Sequence, residues 1–201
     1  MSTVTQLRHP GPGPHRAAGF SFTELLIAMT VLVVMLALAV VGYQHMWPGV
    51  EANAALDGLE AQLRLARQDA LTQRRTFEVS FVAPNQMTIS RVELSGTLTT
   101  EPGYTLPNTS TFQVFAGLPD TPDAFGDASA IDFTDVNGGA GGDTLLFLAN
   151  GSVTDLAGND VNGTVFLGLT GNSQTARAVT LYGITGILHG YSYDSATGTF
   201  Q

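Results

Sequence analysis

The feature that most constrains this chain is an apolar run that a single carboxylate precedes. Residues 25–41 contain no charged side chain, and Thr30 is the one polar side chain among them. With Gly42 and Tyr43 the run reaches about 19 residues, which at a rise of about 1.5 Å each just cross the roughly 30 Å apolar core of a bilayer. The run therefore predicts a membrane-spanning helix with Glu24 at its start.

The residues around this run indicate that the mature chain keeps it. Residues 1–19 contain two arginines, two histidines and three prolines but no acidic residue, and the alternation of proline with glycine excludes a helix there. A secretory signal peptide is cut after its apolar core, at a small-x-small site. Ala37-Leu38-Ala39 has that pattern, but the apolar run continues through Val41. We therefore expect a retained anchor and not a signal peptide that is removed.

A second helical pattern follows in residues 48–75. Apolar side chains recur there at spacings of three and four and form one stripe. The stripe consists of Leu56, Leu59, Leu63, Ala66 and Ala70. It predicts an amphipathic helix half that packs on the chain's own globular head. We expect one long helix from about Ser21 to Arg74, with Pro48 as the place for a kink.

Residues 76–201 change to a period of two, which is typical of β-strands. The predicted strands are FEVSFV (77–82), MTISRVEL (87–94), TFQVF (111–115), TLLFLANGSVT (144–154), GTVFLGL (163–169) and ARAVTLYG (176–183). Asn150-Gly151 predicts a tight type I′ hairpin, which needs positive φ at both positions. Residues 97–142 are loop-like, with one or two short strands. The expected fold class is α+β: a long N-terminal transmembrane helix followed by an antiparallel β-rich head.

Charge and cysteine content exclude several classes of site. The chain has eight arginines, no lysine and 17 acidic residues, for a formal net charge of −9. From residue 76 onward, Arg91 and Arg177 stand against twelve aspartates and glutamates. Because nucleic-acid binding draws on neutralised phosphates, we expect no nucleic-acid partner. The chain has no cysteine, which excludes disulfides and thiolate metal sites.

No residue pattern predicts an enzyme. The four histidines are His9, His15, His45 and His189, and no two of them have catalytic or metal-ligand spacing. No serine stands in the sequence context of a nucleophile. We therefore expect no catalytic residue and no cofactor.

The acidic, glycine-rich segment "DFTDVNGGAGGD" allows two interpretations. It places Asp132, Asp135 and Asp143 close together in sequence, and clustered carboxylate oxygens suit calcium. The spacing does not match an EF-hand loop. Turn formation alone also explains Asp and Gly in such a segment. We favour turns and keep the three aspartates as weak calcium candidates.

The junction around Glu24 resembles the processing site of type IV pilins and type II secretion pseudopilins. The residues that carry the resemblance are a basic leader, the sequence Gly19-Phe20-Ser21-Phe22-Thr23-Glu24, and the apolar run after it. The resemblance implies that residues 1–19 are a prepilin leader and residues 20–47 the transmembrane and polymerisation helix. It also implies that a membrane-embedded prepilin peptidase cuts after Gly19 and N-methylates Phe20.

The same resemblance assigns a subunit-docking role to Glu24. A charged carboxylate among apolar helices is unfavourable unless it is paired. In the family, this carboxylate is thought to meet the N-terminal amine of a neighbouring subunit, which here is the amine of Phe20. A local interpretation stands beside it, since Ser21 and Glu24 have the spacing of a capping box.

The C-terminal half resembles GspH/FimT-type minor pseudopilins. The shared pattern is a strand with an Asn-Gly turn, an apolar strand, an Arg-x-Val-Thr-Leu strand at residues 177–181, and the glycines Gly183 and Gly186. The sequence departs from the pattern at Ile187 and Leu188, where many members carry a basic residue. The resemblance extends the pilin layout over the head at residues 76–201.

Together these features predict a structural minor subunit of a type IV pilus or a type II secretion pseudopilus. Its expected partners are other pilin-like subunits, the prepilin peptidase, the inner-membrane assembly platform and the membrane. We expect a single-pass protein of the bacterial inner membrane with its head in the periplasm or extracytoplasmic space, which enters the filament on assembly. The alternative is a membrane-anchored extracytoplasmic binding domain that does not polymerise, and such an anchor would need neither Gly19 nor Glu24.

Overall fold

The structure, a computed structural model, describes Gly19 and residues 21–107 and 109–201. It divides into two compact units, one up to Tyr43 and one from Gln44 to Gln201. The first unit contains the apolar part of a helix. The second contains the rest of that helix and the β-strands.

Helix α1 extends over Phe22–Gln73 and continues through Pro48. It begins after Ser21, whose carbonyl oxygen accepts a hydrogen bond from the Leu25 N–H at 3.1 Å. These bounds confirm the prediction of one long helix. The apolar run, the stripe at spacings of three and four, and the many leucines and alanines all favour this conformation.

The end of helix α1 has the geometry of a Schellman motif. Arg74 follows the last helical residue with a φ of 52°, in the left-handed region. The N–H of Arg75 donates to the carbonyl oxygen of Ala70 at 3.3 Å. This bond satisfies one of the carbonyls that a helix end leaves free. A glycine usually occupies the position that Arg74 has here, because an L side chain is strained at that φ.

The strands form two antiparallel sheets. Their bounds are β1 Phe77–Val82, β2 Gln86–Val92, β3 Leu98–Thr100, β4 Tyr104–Thr105, β5 Ser110–Phe112, β6 Ile131–Asp135, β7 Thr144–Phe147, β8 Val153–Thr154, β9 Val161–Leu169, β10 Arg177–Tyr182, β11 Ile187–Asp194 and β12 Thr199–Phe200, with a short 3-10 helix at Ser173–Thr175. Sheet A has the order β3-β2-β1-β7-β8, and β4 also pairs with β2. Sheet B has the order β12-β11-β10-β9-β5, and β6 also pairs with β9. The predicted antiparallel β-rich head is confirmed.

The main core lies between the second half of helix α1 and the two sheets. All five stripe residues of the helix are buried, and so are alternate residues of β1 and most residues of β9 and β10. The largest strand side chains of this core are the phenylalanines Phe77, Phe81, Phe112, Phe133 and Phe147. The stripe residues therefore belong to the main core. Successive strand residues point to opposite faces, so the residues between those of the main core lie on the other face of each sheet.

A second, smaller core covers the other face of sheet B. It contains Phe166, Ala178 and Phe200, with Phe115 and Leu118 packed against them. The last two belong to residues 113–130, which we call the β5–β6 connection. This connection therefore lies on the face of sheet B that is turned away from helix α1.

Two local predictions need correction. Gly151 has a φ of 85°, but Asn150 is not among the residues with positive φ, so the hairpin is not type I′. Instead the Gly151 N–H donates to the Leu148 carbonyl oxygen (2.8 Å) and the Leu148 N–H to that of Ser152 (2.9 Å), as in a three-residue loop with a G1 bulge. Residues 97–142 contain more strand than the one or two short segments predicted. Those strands are β3, β4, β5 and β6, and each gains its hydrogen bonds from β2 or β9.

Candidate functional site

The first part of helix α1 exposes its apolar side chains along its whole length. Every described residue of 21–40 is exposed. The stretch Phe22–Val40 is long and apolar enough to cross a membrane. The hydroxyl of Thr30 donates to the Ile27 carbonyl oxygen at 2.8 Å, so its polarity is satisfied within the helix. Exposed apolar surface of this extent favours lipid or other apolar helices as its surroundings.

Glu24 lies in the first turn of this helix, with its carboxylate exposed. Its side chain makes no hydrogen bond or ion pair with any residue that the structure describes. The hydroxyl of Ser21 lies 2.8 Å from that of Thr23. The capping-box interpretation therefore finds no support among the described residues. The carboxylate remains available for a partner.

The predicted scissile bond is only half described. Gly19 is exposed, and Phe20 lies outside the described residues. Cleavage after Gly19 and methylation of Phe20 therefore stay predictions.

Arg177, the first residue of the Arg-x-Val-Thr-Leu strand, connects helix α1 with sheet B. Its Nε donates to Oδ1 of Asn53 at 2.7 Å, and its Nη1 donates to the carbonyl oxygen of Ala176 at 2.8 Å. Burial lowers the pKa of Arg177. A buried cation needs such acceptors, and the bond to Asn53 is the one that holds the helix against the sheet. The sequence marked Arg177 but gave no sign of its partner, 124 residues away.

Arg67 fastens helix α1 to two turns of the head. Its Nε donates to the carbonyl oxygen of Gly151 at 3.1 Å, and its Nη2 to that of Thr185 at 2.7 Å. Gly186 has a φ of +63°, and a Cβ there would lie 2.1 Å from the Gly151 oxygen and 2.5 Å from Arg67 Nε. Only glycine fits this contact. The guanidinium of Arg67 thus reaches the edge where Ile187 departs from the GspH/FimT-type pattern.

A polar cluster joins the β5–β6 connection to the outer face of sheet B. The carboxylate of Asp123, whose side chain is 11% exposed, is its centre. It accepts hydrogen bonds from the hydroxyls of Thr180 and Tyr182, the second at 2.7 Å. His189 Nδ1 lies 3.2 Å away. Sequence reasoning found no role for His189, because its partner is 66 residues away and no local pattern links them.

The cluster shifts the pKa values of its members. Burial alone raises the pKa of Asp123, but hydrogen bonds from Thr180, Tyr182, His189 and Tyr191 outweigh it, and the net pKa lies below the usual range. The hydrogen bond to Asp123 raises the pKa of Tyr182 to about 12. The carboxylate is therefore held charged, and the cluster holds the connection in place.

Two of the three aspartates considered as calcium ligands accept hydrogen bonds from nearby backbone N–H groups. Asp132 Oδ2 accepts from the Ala128 N–H at 2.9 Å. Asp135 Oδ1 accepts from the N–H groups of Asn137 (2.7 Å) and Gly139 (2.9 Å). In the described part of the chain, no group of three or more His, Asp or Glu side chains is arranged to hold a metal ion. Turn formation therefore accounts for Asp132 and Asp135. The side chain of Asp143 makes no hydrogen bond with a described residue.

The solved structures that resemble this chain include a type IV minor pilin and a minor pseudopilin. The type IV minor pilin FimU of Pseudomonas aeruginosa is 18% identical, over 69% of this chain and 87% of that chain, with a TM-score of 0.44. The minor pseudopilin EpsH of the Vibrio cholerae type 2 secretion system is 16% identical, over 71% of this chain and 97% of that chain, with a TM-score of 0.46. Curated protein sequences yield no match.

Two family models match the sequence itself. The Prokaryotic N-terminal methylation motif matches residues 14–40, which contain the predicted cleavage site and Glu24. The family described as Type II transport protein GspH matches residues 55–185, more than half of the chain. This second match includes the stripe of helix α1, Arg67 and the Arg-x-Val-Thr-Leu strand. The chain therefore belongs to the GspH family of type II transport proteins, as a pilin-like protein with an N-terminal methylation motif.

Proposed function

We propose that this protein is a structural minor subunit of a type IV pilus or a type II secretion pseudopilus. A prepilin peptidase cuts between Gly19 and Phe20 and methylates the new amine of Phe20. Residues 20–47 then hold the subunit in the bacterial inner membrane, with the head in the extracytoplasmic space. The assembly platform transfers it from there into a filament of pilin-like subunits.

This proposal rests on the carboxylate of Glu24, which has no partner among the described residues. It lies at the start of the apolar, fully exposed first part of helix α1. A charged side chain at the centre of a membrane-spanning helix costs about 2.5–3.5 kcal/mol on insertion scales, and less near the interface. A helix that served only as a membrane anchor would insert more favourably without this carboxylate. A neighbouring subunit's N-terminal amine would offset it with an ion pair, which gives the carboxylate a function in assembly.

The head's own charged clusters support a structural role. Arg177 and Arg67 hold helix α1 against the sheets, and Asp123 holds the β5–β6 connection. These groups are bound within the fold, where they stabilise it. We therefore propose no catalytic activity for this chain.

Processing is tested by N-terminal sequencing and intact mass of the protein purified from its own membranes. We expect a chain that begins at Phe20 and carries a methyl group on its amine. A chain that begins at Met1, or at Val40 after the small-x-small pattern, would contradict the proposal.

Docking is tested with Glu24→Val. Insertion and cleavage should persist, because the helix becomes more apolar and Gly19 is unchanged. Co-purification with pilin-like subunits should fall strongly, since an amine left without its partner among apolar helices costs about 3–5 kcal/mol. The matched control is Thr30→Val, which removes a hydroxyl already satisfied within the helix and should leave assembly unchanged. Incorporation of Glu24→Val at the wild-type level would show that this carboxylate has no docking role.

A further inference from the structure

A groove between helix α1 and the β10–β11 turn has no role in the function described so far. It encloses about 440 Å³. Arg64, Arg67 and Leu71 of the helix line one wall, and Gly186 and Ile187 line the other. Leu188 is buried beneath them. All these residues belong to the compact unit that begins at Gln44.

The groove has a fixed cationic group in its wall. Two of the three nitrogens of the Arg67 guanidinium are bound to the carbonyls of Gly151 and Thr185. The third, Nη1, has no hydrogen-bond partner among the described residues. Because the other two nitrogens hold the group in place, Nη1 can meet an acceptor with little further loss of side-chain entropy.

Arg64 adds a second cation at the rim. It pairs with Glu60 on the same helix, and its side chain is 62% exposed. The Glu60 side chain is 16% exposed, but the guanidinium is largely in water, where an ion pair is worth little, so an incoming carboxylate can compete for Arg64. Of the other arginines in this unit, Arg177 is buried and Arg91 pairs with Glu93 at 2.7 Å. Arg74 and Arg75 make no ion pair with a described residue, but they do not line the groove. In a chain with a net charge of −9, the groove therefore brings together two guanidinium groups, one of which has a nitrogen without a partner among the described residues.

The groove also exposes apolar side chains beside these cations. Leu71 is 41% exposed and Ile187 is 47% exposed. A ligand that satisfies both features carries a carboxylate next to an apolar side chain. The acidic surface of the head repels a phosphate backbone, which disfavours a nucleic acid here.

We propose that this groove docks a segment of a neighbouring pilin-like subunit in which an Asp or Glu stands next to an apolar residue. The carboxylate binds Arg64 and Nη1 of Arg67, and the apolar side chain packs between Leu71 and Ile187. The complementary charge and the paired polar and apolar walls favour this occupant. The inference rests on the proposed function, because it names the surface through which the head meets its neighbour.

The experiment places a photo-crosslinking amino acid at Gln68, an exposed residue of the groove wall, in the full-length chain in its own membranes. A second chain carries it at Leu94, which is 89% exposed and lies outside the groove. A third carries it at Leu26 and reports association through the apolar helix. Mass spectrometry identifies the crosslinked peptides. We expect Gln68 to crosslink to a pilin-like subunit, at a peptide with an acidic residue beside an apolar one, and Leu94 not to reach that peptide.

Matched substitutions then test the chemistry. Arg64→Gln and Ile187→Ser should each reduce the Gln68 crosslink at least about fivefold, which is the effect of about 1 kcal/mol at an interface. The controls are Arg74→Gln, an exposed arginine outside the groove, and Ile184→Ser, an isoleucine that is 68% exposed. Both should leave the crosslink unchanged. Replacing the partner's acid with Arg should restore the crosslink in an Arg64→Glu chain.

Four results would overturn the inference. The first is a Gln68 crosslink that Arg64→Gln and Ile187→Ser leave unchanged, and the second is a crosslink to DNA. The third is a crosslink only to proteins that are not pilin-like. The fourth is the absence of any crosslink from Gln68. If Leu26 still crosslinks to pilin-like subunits in those cases, the proposed function stands and only the groove is wrong. If Leu26 also fails, the proposed function fails with it.

Discussion

Gly58 lies in helix α1 and faces Tyr104. Whether its replacement by alanine raises or lowers the free energy of unfolding should depend on whether the Tyr104 ring is present. A Cβ at Gly58 would lie 2.0 Å from Oη of Tyr104 and 2.9 Å from its Cζ. In a free helix, Gly→Ala stabilises by roughly 0.5–1 kcal/mol. Here the ring must move, and overpacking of this kind costs about 1–3 kcal/mol. We therefore expect Gly58→Ala to lower the free energy of unfolding by about 1 kcal/mol.

The sign should reverse once the ring is removed. In a Tyr104→Ala background nothing opposes the new methyl group, so Gly58→Ala should raise the free energy of unfolding by about 0.5–1 kcal/mol. Urea unfolding of the four chains, followed by circular dichroism, measures the coupling; fragments that begin at Gln44 contain the whole compact unit. The expected coupling is about 1–3 kcal/mol. Destabilisation of the same size in both backgrounds would refute the contact as the reason for this glycine.

Three further predictions concern charged residues of the head, each measured as the free energy of unfolding. Asp123→Asn should lower it by about 1–3 kcal/mol at pH 7, since hydrogen bonds to a charged acceptor are lost. The folded-state pKa of Asp123 is lowered, so the stability that its charged form contributes is complete above the unfolded pKa near 4. That stability disappears as the pH falls through the folded pKa. Below it, the free energies of unfolding of variant and wild type should converge. Arg74→Gly should raise the free energy of unfolding by about 1 kcal/mol, because the φ of 52° strains an L side chain. Arg177→Met should lower it by about 2–4 kcal/mol, because Asn53 and the Ala176 carbonyl lose their donor.

Two of these, the changes at Asp123 and Arg74, have a control of the same chemistry. Asp127→Asn removes an exposed carboxylate and should have no effect at any pH. Arg64→Gly places a glycine inside helix α1 and should destabilise by about 1 kcal/mol, the opposite sign to Arg74→Gly. A gap between Asp123→Asn and wild type that stays constant down to pH 2 would exclude the charged cluster as its cause. Equal stability of Arg177→Met and wild type would show that the hydrogen bonds of Arg177 contribute nothing net.

Patterns within one element predicted this fold well, and contacts between distant residues did not. The apolar run and the stripe of Leu56, Leu59 and Leu63 set the bounds of helix α1 to within a residue or two, because each depends on neighbours three or four positions away. The short strands β3 and β6 were missed because their hydrogen bonds come from β2 and β9. The type I′ turn was wrong because Asn-Gly suits several hairpin loops, and the strand pairing chooses among them.

The candidate site divides in the same way. Gly19, Phe20 and Glu24 stand together in the sequence, so one motif contains them all. Arg67 bonds to Thr185, 118 residues away, and its approach depends on a glycine at position 186. The sequence showed that glycine, but the arginine that requires it could be found only in three dimensions.

The β5–β6 connection gives the protein a region that can diverge at little risk to the rest. Strands β5 and β6 both pair with β9, at residues 167–169 and 161–165, so the two ends of the connection are held by the same strand. Phe115 and Leu118, between those ends, pack on the face of sheet B away from helix α1, and Ala130 at the end of the connection is its one residue packed against the main core. Loops of this kind accept changes of length and composition. Over evolution, related chains can therefore acquire new head surfaces here while the helix, the shared determinant of membrane anchoring, remains as it is.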